Sequence, residues 1–175
     1  MITVAATTGA ACTVTSPQCT FTVFPAKPLD GQWCLMSHPL EELKDKQLSW
    51  PGEYDFGDVT VRAIGQQDGR QVSFGGTVDG LRCAFIGSPL LEWSDAELES
   101  LGDIDILLIA AEHPKRVLAI VESVDPRVVI LYKTSGGDLP GTTKALGLSA
   151  VEAVSEFKVK PGTLPTDSRQ VVVLG

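Results

Sequence analysis

The stretch from residue 104 to residue 132 most narrows what this chain can become. IDILLIAA (104–111) and RVVILY (127–132) are short apolar runs, and PKRVLAIVESV (114–124) between them has a helical period. Apolar runs of this length, charged only near their starts at Asp105 and Arg127, suit strands covered on both faces. Pro114 suits the first position of a helix, where its missing N–H costs nothing. Upstream, WSDAELESLG places Ser94 three residues before Glu97, a capping-box pattern that predicts a helix start. LPGTTKALG offers a third, shorter helix, and VEAVSEFKV and RQVVVLG read as closing strands.

The first half reads differently. ITVAA, ACTVT, CTFTVFP and QWCLMS are short, rich in Thr and Val, and separated by Gly9 or Ser16-Pro17. DVTVRAI, RQVSFGGTV and LRCAFIG follow, with Asp79-Gly80 as a strong hairpin signal and Gln66 to Gly69 as another turn. Gly75-Gly76 within a strand pattern predicts a bulge or a close backbone approach. Strands first, then strand and helix in alternation, is a two-sheet α/β pattern. The length of 175 residues fits one domain, residues 1–175.

A net charge of −8 leaves no electrostatic footprint for nucleic acid. No apolar run approaches the roughly 18 residues of a membrane span, and the start MITVAATTGAACTV lacks a basic secretory leader. A cytoplasmic protein without membrane or nucleic-acid partners is the expectation. Cys12, Cys19, Cys34 and Cys83 lack the close spacing of a zinc knuckle or a redox pair, and each reads as a small buried hydrophobe. Trp33, Trp50 and Trp93 read as core residues that would also serve association.

Both histidines of the chain occupy one context. His38 ends QWCLMS before Pro39, and His113 follows IDILLIAAE before Pro114. Each would stand at the carboxyl end of a strand, where open α/β sheets gather their sites. An X-Pro step is also an ordinary way to leave a strand for a helix.

WPGEYDFGDVTVRAIG, LRCAFIGSPL, LGDIDILLIAAE and PRVVILYKTS, in this order, resemble the metallo-β-lactamase superfamily, in particular its branch related to ascorbate-lactone hydrolases. The resemblance spans most of the chain and is most specific in PGEYDFGDVTVRAIG. It implies a compact α/β fold, a four-layer αββα sandwich, with a dinuclear metal site where the two sheets meet. The family's metal loop, His-x-His-x-Asp-His, falls on HPLEEL. His38 matches the first histidine, Leu40 stands for the second, Glu42 for the aspartate and Leu43 for the last histidine. Ser88 falls at the metal-bridging aspartate, Lys133 near the late histidine, and Gly9-Ala10-Ala11 at an early Gly-His-Ser. Such a site needs several imidazoles and carboxylates to activate a bridging water, and two histidines do not supply them.

The expectation is therefore a catalytically degenerate protein of this fold, a non-hydrolytic binding module or assembly subunit with no cofactor. Self-association is what the resemblance implies about partners. The alternative is a hydrolase of small esters, lactones or phosphoesters, rebuilt around His38, Ser88, His113 and Lys133. Zinc or manganese would enter only in that case, through His38 and His113 with a carboxylate such as Glu42 or Glu112. Ser88 as a nucleophile would need His113 as its base, and Lys133 beside Ser135-Gly136-Gly137 would suit an anion. A third reading is a bare scaffold whose old cleft is filled, with the leucines of HPLEEL as the filling. Glu53, Tyr54 and Asp55 in PGEYDFGD read as architecture, with Pro51-Gly52 and Gly57-Asp58 as turns.

Overall fold

The computed structural model describes residues 1–42 and 44–175; Leu43, expected at the last position of the metal loop, lies outside the described residues. Two sheets pack face to face. The smaller has the order β13-β1-β2-β3-β4-β5, from Glu156–Val159, Ile2–Ala6, Cys12–Thr15, Thr20–Val23, Trp33–Leu35 and Gln47–Leu48. The larger runs β12-β14-β11-β10-β9-β8-β7-β6, from Ala153–Val154, Gln170–Leu174, Val128–Tyr132, Ile106–Ala110, Leu81–Ile86, Gln71–Val78, Val59–Gln66 and Gly52–Phe56.

Alternation along each strand divides the apolar residues between two cores. Between the sheets, Ile2, Val4, Val14, Phe21 and Leu35 meet Val61, Phe74, Phe85, Leu108 and Ile130. On the outer side of the larger sheet, Ile86, Leu107, Ile109, Val129 and Leu131 meet the helices α1 (Asp95–Leu101), α2 (Pro114–Val124) and α3 (Leu139–Ala145). This is why ILLIA and VVILY are apolar without interruption: both faces of β10 and β11 are covered. Leu107 is fully buried, and burial of such a side chain is worth about 1.5–3 kcal/mol.

The expected two-sheet α/β sandwich is formed, and its described helices gather on one side. Among the described residues no helix lies over the outer face of the smaller sheet, where Thr3, Thr13, Thr15 and Thr20 stand exposed or half-buried. None of the described helices is long and apolar enough to cross a membrane.

Local signals act as expected at most element ends. Ser94 and Glu97 form the full capping box of α1, and Pro114 opens α2. Asp79 and Gly80, at φ 47° and 76°, close the β8–β9 hairpin. Gly57, at φ 60°, turns β6 into β7, so PGEYDFGD is the expected turn-framed pair. The glycine pair of β8 makes a close approach and no bulge: the β7–β8 register runs unbroken, and a Cβ on Gly76 would collide with the Thr60 carbonyl.

Three features depart from expectation. VEAVSEFKV is two strands: β12 joins the larger sheet, Ser155 changes direction, and β13 joins the smaller. β5 forms from Gln47-Leu48, which has too few residues to show an alternation. Trp50 is 47% exposed rather than core, its Nε1 donating to the Leu40 carbonyl, whereas Trp33 stacks on Phe56 at 4.3 Å as a core residue should. All four cysteines are free; Cys12, Cys34 and Cys83 are buried and Cys19 is half-buried.

Candidate functional site

The parallel strands β9, β10 and β11 end side by side. Two residues beyond their ends stand Ser88, Glu112 and Thr134, and the shared register brings them together. Glu112 is buried at 6% exposure. Its Oε1 accepts from Ser88 Oγ and from Thr134 Oγ1, both at 2.5 Å, and its Oε2 accepts from the Leu90 N–H at 2.9 Å. Burial pushes the Glu112 carboxyl up, but the two hydroxyls, the amide and the nearby His113 outweigh it and hold the carboxyl below its ordinary value.

This arrangement anchors a loop. Around Glu112, the Gln71 amide donates to the Pro89 carbonyl at 2.6 Å, Arg116 to the Leu90 carbonyl at 2.9 Å and Gln66 to the Glu92 carbonyl at 3.2 Å. Four side chains from separate elements thus fix residues 88–92 across the ends of the strands. A carboxylate held ionised by three donors is a poor base and has little left to offer a metal.

The remaining candidates do not converge on it. His38 is exposed after β4, with Nδ1 at 3.4 Å from its neighbour Ser37 Oγ. Glu42 is exposed. His113 is exposed at the start of α2, in the left-handed region at φ 45°, and its side chain makes no cap bond. Lys133 is exposed, its Nζ 3.8 Å from where a Cβ on Gly175 would stand. Ser88 has Glu112 as its hydrogen-bond partner, and His113 donates nothing to it and accepts nothing from it. A His113-activated serine is therefore not the arrangement formed.

Below this edge the space between the sheets is filled by an aromatic ring. Phe24 follows β3 with φ 56°, a conformation that bulky residues rarely adopt and that costs about 1–3 kcal/mol. Its ring packs beside Phe74 and Tyr132, and a Cβ on Gly87 would stand 3.3 Å from three of its atoms. Tyr132 is buried and donates to the Ile86 carbonyl at 3.2 Å. Sequence assigned such filling to the leucines of HPLEEL, of which Leu43 lies outside the described residues. Leu40, half-buried, instead gives its N–H to Ser49 and its carbonyl to Trp50.

The side chains present do not fit the dinuclear centre of the resembled family, nor a mononuclear triad. The one buried carboxylate of the candidate set is engaged by three neutral donors, and the imidazoles stand exposed on separate loops. No group of three or more His, Cys, Asp or Glu among the described residues is placed to hold a metal ion.

Glu112 entered the sequence reading only as one of two carboxylates, and Thr134 and Phe24 did not enter it. A signal existed for the first pair. Ser88, Glu112 and Thr134 each follow an apolar run by the same short interval, which parallel pairing converts into proximity. Phe24 gave none, because a phenylalanine closing CTFTVFP reads as strand.

No known family profile matches the sequence, and no curated protein sequence matches it. Solved structures do. A candidate Zn-dependent hydrolase of the metallo-β-lactamase superfamily from Thermotoga maritima superposes with a TM-score of 0.80 at 18% identity, over 99% of each chain. A candidate metal-dependent hydrolase from Parabacteroides distasonis gives 0.62 at 13% identity, over 99% of this chain and 92% of its own. The CmlA β-hydroxylase gives 0.55 at 9% identity, over 74% of this chain and 45% of its own. The chain has the metallo-β-lactamase fold.

Proposed function

We propose that this protein keeps the metallo-β-lactamase fold without its hydrolytic metal chemistry, and works as a binding module or assembly subunit. The observation that carries this reading is Glu112. At the edge where α/β sheets place their chemistry, its carboxylate is consumed in fixing a loop. The Phe24 ring beneath that edge supports the same reading. The net charge of −8 argues for partners other than nucleic acid, and a cytoplasmic setting for a single domain remains part of the proposal.

The test is metal content and hydrolysis together. The protein is incubated with zinc, manganese or iron, dialysed, and assayed by elemental mass spectrometry beside His38→Ala, then screened against small esters, lactones and phosphoesters. Sub-stoichiometric metal in both proteins and no turnover are expected. One metal per chain, lost in His38→Ala and accompanied by turnover, would overturn the reading.

One contact favours the hydrolase alternative, which the names of the structural neighbours also suggest. Ser88 Oγ donates to a carboxylate, as an activated nucleophile would. Metal-independent ester turnover abolished by Ser88→Ala would establish that alternative.

A further inference from the structure

The smaller sheet ends at β13, which pairs with β1 and with no other strand among the described residues. Ala6 donates its N–H to the Ser155 carbonyl at 3.0 Å. By the alternation of an antiparallel ladder, Ser155, Phe157 and Val159 then turn their backbone groups toward β1, and Glu156 and Lys158 turn theirs away. Those outward groups accept or donate no other backbone hydrogen bond to the described residues. The side chains of Glu156 and Lys158 are about half exposed and pair with each other at 2.6 Å. Phe157 between them is half-buried against the core between the sheets.

We propose that β13 pairs antiparallel with β13 of a second copy of this chain, about a two-fold axis at Phe157. The inference deepens the assembly reading above and rests on it. In that register Glu156 lies opposite the partner's Lys158, and Lys158 opposite the partner's Glu156. Each pair is one whose outward N–H and C=O groups can be exchanged. The two Phe157 residues face each other at the closely spaced, non-bonded position. A two-fold contact must match itself, and Glu-Phe-Lys does so in backbone polarity, charge and aromatic pairing at once. The smaller sheets of two copies would join into one.

The other edges do not match themselves. On β6, a two-fold axis at Tyr54 would set the exposed Glu53 against Asp55 of the second copy, acid on acid. β5 and β12 have two residues each. A lone lysine on an edge strand discourages pairing, whereas a lysine two residues from a glutamate discourages it only in the wrong register.

Light scattering coupled to size exclusion, over a hundredfold dilution series, tests the proposal on the whole chain. Glu156→Lys leaves two lysines on the strand and Lys158→Glu leaves two acids, so each variant repels its own kind. Both positions are exposed in the single chain, and unchanged circular dichroism is the check on folding. A dimeric wild type, two monomeric variants and a dimer re-formed on mixing the variants are expected. An oligomeric wild type whose size neither variant changes would overturn the β13 contact and leave the assembly reading standing. A wild type monomeric at every concentration would overturn both.

Discussion

Strand β10 is bounded by a buried carboxylate at each end, and the two are held in opposite ways. Before it, Asp105 meets a cation: Arg82 donates through Nε and Nη2 at 2.9 and 2.8 Å, and Arg127 approaches at 4.0 Å. Arg82 holds Asp105 below its ordinary value against the opposing effect of burial. After it, Glu112 meets two hydroxyls and one amide. The Asp105 end is a charge-paired clamp between β9 and β10. The Glu112 end keeps a negative group with neutral partners and spends it on a loop. An ion pair tolerates some loosening because water screens its exposed partner. A carboxylate gathering neutral donors has less reserve, since its loss leaves two half-buried hydroxyls and one buried amide without their acceptor.

Substitution at the two ends should separate them. Glu112→Ala leaves three donors without their acceptor and is expected to cost about 3 kcal/mol in urea unfolding; a cost below about 1 kcal/mol would remove the contrast. Asp105→Asn keeps an acceptor, and the guanidinium it leaves is 45% exposed, so about 1–2 kcal/mol is expected. Acid sharpens the comparison. Both carboxyls lie below their ordinary values of 3.8 for Asp105 and 4.5 for Glu112. Their contribution is complete above those values and is lost as pH falls through the lower folded ones. Glu112→Gln should therefore lose less stability than wild type on acidification below pH 4.5, and equal losses in a thermal-melt series would contradict that. His38→Ala, on an exposed loop, should change stability by no more than about 0.5 kcal/mol.

The parts of this molecule legible in sequence are those where one signal has one meaning. Ser94 with Glu97, Pro114, Asp79-Gly80 and the apolar runs of β10 and β11 each specify their element because neighbours in sequence satisfy the same requirement locally. Ser155 was not legible: VEAVSEFKV has the composition of one strand, and only the competition of two sheets for it divides it. The candidate site was half legible. His38, Ser88, His113 and Lys133 were singled out by type and position. What binds them, or leaves them apart, depends on the register of three strands and on a ring delivered by Phe24 from the other sheet.

The division at Ser155 has a consequence in time. β1 is flanked by β2 within a few residues of chain, but its other neighbour is β13, with Ile2 opposite Val159. At ~5–20 residues per second of synthesis, about 8–30 s separate those two residues. Within that interval the β6–β9 meander can close from local contacts, while one side of β1 stands open. β13 then closes the smaller sheet, and the larger sheet closes only once β14 is made, because β14 stands between β12 and β11, so the two halves of the sandwich become one cooperative unit late.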